Sequence, residues 1–201
     1  VGQLRELLAR DLVRAADDDE DRAARRGLGL VGARTGIDSA ERARDFPKKP
    51  VAILGMGQHH PHFSLMDAPS LTTLGGKNSS ALAYKMAGLS PKDMDFAEIY
   101  DCFTITTMIT LEDYGFCKKG EGKDFVKNGR IEVGGELPVN THGGLLSQAH
   151  IEGMLHVTEA ARQLRGNEVE PERQVKNAKA GIVSGHGGSL CMHASLILGA
   201  L

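Results

Sequence analysis

Residues 51–57 read VAILGMG, a short apolar run that closes on glycine. Four to six apolar residues bounded by glycine predict a buried strand rather than a helix. On its far side HHPHF (59–63) is a polar loop, and residues 72–88 carry Leu74, Leu82 and Met86 at helical intervals with Gly88 as a stop. FAEIYD (96–101) predicts a second strand and TITTMITLEDYGF (104–116) a helix. KKGEGKDFVKNGR (118–130) is a polar, glycine-rich loop. A further helix is expected over 150–165, on Ile151, Met154, Leu155, Ala161 and Leu164. AGIV (180–183) and LCMHASLIL (190–198) complete the set as strands. Strands alternating with helices predict an α/β domain from Pro50 onward.

The bulk composition narrows the function. The 201 residues hold 41% hydrophobic residues and a formal net charge of -2, so no global field recruits nucleic acid or a membrane surface. Aromatic residues make up 4%, too few for a stacking platform. No apolar run approaches the ~20 residues of a membrane span, and the first residues lack a signal-peptide layout. Cys102, Cys117 and Cys191 have no CxxC spacing, which argues against a cysteine metal site or disulfide framework and for a cytoplasmic setting. The His59, His60 and His62 cluster has no acidic partner before Asp67, so no metal is expected. His156 and His193 fall within expected elements and read as packing residues.

The first 45 residues differ. They hold nine of the 13 arginines, whereas all 11 lysines lie at position 48 or later. Leu4, Leu7, Leu8 and Leu12 have helical spacing, and Asp17–Asp21 is an acidic run. A solvated linker and a segment foreign to the domain both account for it. The division expected is 1–37 as a charged extension or non-native segment and 38–201 as the domain.

Two loops carry the chemistry. NTHGGLLSQAHIEG (140–153) and GIVSGHGGS (181–189) each place a histidine before a glycine pair. Paired glycines let backbone approach a ligand, and histidine moves protons near neutral pH. Such loops at strand ends suit acid–base or oxyanion chemistry.

Four segments together resemble the C-terminal half of a thiolase, in the branch linked to sterol-carrier and lipid-transfer proteins. They are SAERARDFPKKPVAILGMG, LTTLGGKNSS through LEDYGFCKKGEG, LPVNTHGGLLSQAHIEGM and GIVSGHGGSLCMHASLILGA. EIYDCFT followed by LEDYGFCKKGEG is the most specific part. The resemblance implies a mixed five-stranded sheet covered by helices. It implies acyl-CoA chemistry, either Claisen condensation or thiolytic cleavage of a 3-ketoacyl-CoA, with a coenzyme A thioester as substrate and no covalently bound cofactor. It also implies a nucleophilic cysteine from an N-terminal half, in the same polypeptide or a separate chain, and an assembly as homodimer or hetero-oligomer, with an OB-fold acyl-CoA-associated protein as a further partner.

Residue by residue, the family's GHPxG matches QAHIEG and makes His150 the catalytic histidine. NxNGG matches NTHGG, so His142 replaces an asparagine, with Gly143 and Gly144 beside it. NEAF matches YDCF, so Tyr100 replaces the oxyanion-water asparagine and Cys102 lines the pocket. CxGGG matches SGHGG, so Ser184 stands in place of the acid–base cysteine, followed by His186, Gly187 and Gly188. A serine hydroxyl does not titrate near neutrality as a tuned thiol does, which shifts the acid–base role to His186. In retro-aldolases of this branch tyrosines take that role, which brings in Tyr100. The expectation is an acyltransferase of thiolase type or a retro-aldolase variant, incomplete without the N-terminal half. The competing reading is a non-catalytic acyl-CoA-, lipid- or partner-binding module.

Overall fold

The expected strand at 51–57 extends to His59 as β1 (Val51–His59). A computed structural model describes Ala43 and residues 47–201 of the chain, and the fold is that of the unit Val51–Leu201. The leucine-patterned stretch at 4–12, the acidic run at 17–21 and the 37/38 boundary lie outside the described residues.

Helix α1 (Gly76–Ala87) crosses β1 closely because Gly55 and Gly57 have no side chain. A Cβ on either would collide with the carbonyl oxygen of Ala83 or of Ser79. Gly88 ends α1 in the left-handed conformation at φ 67°, with its N–H donating to the Tyr84 carbonyl. Strand β2 (Phe96–Glu98) is short and wholly buried. Helix α2 (Thr104–Asp113), two single turns α3 (Gly122–Phe125) and α4 (Gly144–Ser147), and helix α5 (Met154–Arg165) follow. Strands β3 (Ala180–Gly187) and β4 (Met192–Ala200) end the chain as a hairpin.

The sheet order is β1-β4-β3-β2. β1 and β3 run antiparallel to β4, and β2 runs parallel to β3. Among the described residues four strands form where five were expected. In the fifth place, outside β2, the chain makes one bridge, Ala97 to Val139. Pro138 beside it has no N–H to donate, and Asn140 turns away at φ 51°, so the ladder stops there.

Adjacent strand residues serve opposite faces, as the two-residue period requires. Ala97, Ile182 and Ile197 join Ala83, Tyr84, Leu111 and Tyr114 on the α1/α2 side. Phe96, Val183 and Leu198 join Ala160 and Leu164 of α5 on the other. Both faces are thus covered by helices, as the family resemblance implies.

Several elements differ in placement from expectation: the helix expected from 72 begins at Gly76, the strand expected over 96–101 ends at Glu98, the loop at 118–130 holds α3, and the last strand runs from Met192. The helix expected from 150 starts at Met154, because Glu152 holds φ 68° and helical hydrogen bonding begins only beyond it. SGHGG is mostly strand: Ser184, Gly185, His186 and Gly187 pair with Ser195, Ala194, His193 and Met192. Only Gly188 to Cys191 make the turn.

Candidate functional site

The end of β2 sets the site. Beyond Glu98 the chain is clamped by Asn140, whose Oδ1 accepts from Ile99 N–H at 2.6 Å and whose Nδ2 donates to Ile99 O at 2.9 Å. The next N–H, that of Tyr100, donates to Ser184 Oγ at 2.9 Å. The buried Ser184 hydroxyl therefore anchors backbone at the position where a thiol was expected by resemblance. Two adjacent peptide units are thus fixed, and the Tyr100 side chain projects from a rigid base.

The Tyr100 hydroxyl lies 2.9 Å from His150 Nε2. Their rings meet edge to face at 5.7 Å between centroids, and His186 packs against Tyr100 in the same way at 5.6 Å. Three of the four residues expected to be catalytic, Tyr100, His150 and His186, converge, with Ser184 directly beneath. His150 is exposed in the segment ahead of α5, whereas Tyr100 is buried. Burial raises the Tyr100 pKa, and the Glu152 carboxylate beside it adds to the rise. The tyrosine is accordingly a neutral proton carrier, not a resident phenolate.

His186 Nδ1 lies 2.9 Å from Nδ1 of His193, and Nε2 of His193 lies 3.0 Å from Leu190 O. A carbonyl only accepts, so His193 Nε2 carries the proton and its Nδ1 is the acceptor for His186 Nδ1–H. The unprotonated Nε2 of His186 then lies 3.5 Å from Thr110 Oγ1. Burial, chiefly, holds His186 at about 3 and His193 at about 4, so both rings are neutral at physiological pH.

His142 turns inward, with Nδ1 2.9 Å from Glu98 Oε2. His156, read as packing, lies beside both, with Nδ1 3.7 Å from the same oxygen. Gly143 (φ 95°) and Gly144 (φ 70°) form the turn into α4, where Asp101 Oδ1 accepts from Leu145 N–H at 2.8 Å and Oδ2 from Leu146 N–H at 3.3 Å. Gly187 lies in β3, and Gly188 begins the hairpin turn at φ 55°. Cys102 Sγ lies 3.6 Å from Thr106 Oγ1. Cys191 sits buried in the turn before β4, not inside it, and burial raises the Cys117 thiol to about 11. Lys119 of the polar loop ion-pairs with Asp113 at 2.6 Å.

Sequence reasoning missed four contributors: Glu98, Glu152, His193 and the Asn140 clamp. The symmetric spacing HGGSLCMH was the one available signal, since a hairpin closed on GGSLC brings its two histidines opposite. The site is held from behind by a buried network. Arg173 Nη1 donates to Thr141 O at 3.0 Å and to Glu159 Oε1 at 2.9 Å, and Gln163 Nε2 donates to Thr141 Oγ1 at 2.9 Å. The first HGG turn is thereby fastened to α5.

A rim of exposed apolar side chains, Phe103, Ile105, Leu146, Ile151 and Met154, is contributed by the segments that lead into and out of this site. Among the described residues no helix is long and apolar enough to cross a membrane.

Comparison with known proteins agrees with the fold. A family model described as thiolase C-terminal domain-like matches residues 57–200. A 17-hydroxy-3-oxo-4-pregnene-20-carboxyl-CoA lyase of Mycobacterium tuberculosis is 44% identical over 146 residues, 70% of this chain and 38% of the relative. An acetyl-CoA acetyltransferase of Methanothermobacter thermautotrophicus is 35% identical over 161 residues, 77% of this chain and 42% of the relative. The solved structure of an Ltp2-ChsH2(DUF35) aldolase superposes with a TM-score of 0.73 at 37% identity, over 81% of this chain and 43% of that one. The chain spans about two fifths of the length of the curated relatives it matches.

Proposed function

The chain belongs to the thiolase C-terminal domain-like family, and from that membership we propose that it supplies the acid–base half of a carbon–carbon lyase acting on β-hydroxyacyl-CoA thioesters by a retro-aldol step. The observation that carries this reading is the Tyr100 hydroxyl held 2.9 Å from His150 Nε2, above a serine whose hydroxyl is engaged by backbone. A Claisen reaction needs a thiol nucleophile and a second acid–base group. A retro-aldol step needs only a proton path and a sink for the electron pair.

The relative from Mycobacterium tuberculosis is named for a substrate with a hydroxyl on the carbon next to the one bearing the thioester carboxyl, which is a β-hydroxyacyl-CoA. In the proposed step the β-hydroxyl proton leaves to the Tyr100 oxygen as the tyrosine's own proton passes to His150 Nε2. The O–H electron pair forms the new C=O, and the Cα–Cβ bond breaks. Its electrons are taken up as a thioester enolate, which the His150 imidazolium reprotonates at Cα through Tyr100. A ketone and a shortened acyl-CoA result, with no net proton change and no covalent enzyme intermediate. His186, neutral and tied to His193, holds the tyrosine ring in place.

The apolar rim supports a role inside a larger assembly. Both an N-terminal thiolase half and a DUF35 chain, as in the aldolase complex, are proposed partners. The acyltransferase reading is favoured by the 35% identical acetyl-CoA acetyltransferase and by His150 at the catalytic-histidine position. It requires a cysteine nucleophile from that N-terminal half.

The test uses the whole protein with its partner chain, a 17-hydroxy-20-carboxyl-CoA steroid and, separately, a 3-ketoacyl-CoA, with products followed by mass spectrometry. The expected outcome is ketone and acyl-CoA formed without added CoA. Cleavage only of the ketoacyl thioester, and only with free CoA, would replace this reading with acyl transfer. Tight thioester binding without turnover would leave the binding-module reading.

A further inference from the structure

Beside Tyr100, the end of β2, the first HGG turn and α5 bring three side chains together. We propose that Glu98, His142 and His156 form a site for one divalent transition-metal ion of the zinc class, which pins the floor of the catalytic pocket. This inference does not depend on the reaction proposed above.

Distances carry the argument first. His142 Nδ1 and Glu98 Oε2 are 2.9 Å apart, His156 Nδ1 and the same oxygen 3.7 Å, and one ligand atom from each residue lies within 4.8 Å of the others. A tetrahedral ion with bonds of about 2.0–2.2 Å to nitrogen and oxygen holds its ligand atoms roughly 3.4 Å apart. The two measured pairs bracket that value. Two imidazoles and one carboxylate are also a donor set that zinc takes.

The polar bookkeeping points the same way. The side chains are 0–3% exposed. Yet Glu98 Oε2 and both ring nitrogens of His142 and of His156 have no well-formed hydrogen bond. Buried polar atoms are nearly always partnered, and a group of five without partners calls for a cause. A cation held by three of these atoms supplies one, and it offsets the cost of burying the carboxylate.

The surroundings are built to orient the ligands. Thr141 N–H lies 3.1 Å, and its hydroxyl 2.9 Å, from the other Glu98 oxygen, Oε1, which turns Oε2 toward the histidines. Asp101 Oδ1 lies 3.5 Å from His156 Nε2. That is the outer carboxylate that commonly fixes a ligating imidazole through its remote nitrogen. Asp101 also caps the Gly143–Gly144 turn. The His156 ring lies 5.9 Å from the Tyr100 ring, so an ion here fixes the tyrosine's support without entering the pocket.

The test uses the whole protein without a histidine tag, loaded with zinc chloride, dialysed free of excess metal and measured by elemental mass spectrometry. The expected result is one zinc per chain. It falls at least tenfold in the Glu98→Gln and His142→Gln variants and stays unchanged in a His60→Ala control on the exposed loop that follows β1. In parallel, zinc raises and EDTA lowers the thermal midpoint of the unaltered protein, a readout that stands even if a variant fails to fold. Background zinc in the unaltered protein, an unmoved midpoint, or loss of metal in the loop control would each overturn the proposal.

Discussion

His186 and His193 face each other across the β3–β4 hairpin with their Nδ1 atoms 2.9 Å apart. Two histidines so placed cannot both be charged, and the Leu190 carbonyl at the far nitrogen of His193 fixes the direction of the hydrogen bonds. The pair thus leaves one unprotonated nitrogen, His186 Nε2, 3.5 Å from Thr110 Oγ1. Strand register rather than loop flexibility sets this geometry, because residues 184–187 are paired in the sheet.

That arrangement predicts how stability depends on pH. In the unfolded chain both rings titrate near 6.5, whereas in the fold they sit at about 3 and about 4. The unfolded state binds more protons below about pH 6.5, so stability is full above it and falls as pH drops toward 4. The slope is at most about 1.4 kcal/mol per pH unit for each ring. Urea unfolding midpoints at several pH values should decline over this window in the unaltered protein. A His186→Asn/His193→Asn variant should show a clearly shallower decline. Equal slopes would mean that other groups dominate acid unfolding.

Replacing Tyr100 by Phe removes only the hydroxyl. The ring contacts to His150, His156 and His186 remain, so the thermal midpoint should hardly move. kcat for β-hydroxyacyl-CoA cleavage should fall about 10²- to 10⁴-fold, the range for loss of a positioned acid–base group. His150→Gln should do the same, and the double variant should lose little more than the worse single, because the two act as one relay. Full additivity of the two losses in steady-state kinetics would separate their roles.

Ser184→Ala distinguishes an anchor from a reactant. The Tyr100 N–H would lose its acceptor in a buried place, at a cost of about 1–3 kcal/mol. For a domain of this size that lowers the thermal midpoint by roughly 2–4 °C per kcal/mol. If the hydroxyl only positions Tyr100, kcat falls less than tenfold. A loss as large as that of Tyr100→Phe would place Ser184 in the chemistry.

Much of the fold is legible in local sequence because its determinants are local. The apolar run at 51–54, the stop at Gly88 and the alternation of Ile182 with Val183 and Ile197 with Leu198 each state their element within a few residues. The family pattern also names Tyr100, His150 and His186, and these three lie together in the fold. What stays hidden depends on distant partners. Glu98 meets His142 across 44 residues of chain and His156 across 58, and no spacing rule marks them. The start of α5 was misjudged by four residues because apolar periodicity says nothing of the positive φ at Glu152. SGHGG looks like a loop by composition, yet pairing with β4 makes it strand. Ser184 looked like a failed acid–base residue, and its partner is a backbone N–H from a strand end 84 residues earlier.

Gly144 offers a test of why the first HGG turn needs its second glycine. Its φ is 70°, which glycine adopts at little cost and alanine does not. A Cβ there would also strike the Asp101 carboxylate, the group that accepts from Leu145 and Leu146 N–H. Gly134 has φ 90° with open space around its Cβ position, so Gly134→Ala measures the backbone strain alone, about 1–2 kcal/mol. Gly144→Ala should cost clearly more than Gly134→Ala in urea unfolding, by the displacement of Asp101. It should also lower kcat, because the turn sets the path to His150 six residues on. Equal destabilisation by the two substitutions would mean that Asp101 yields freely. Unchanged kcat in Gly144→Ala would mean that His150 is placed by its contact with Tyr100 and not by the turn.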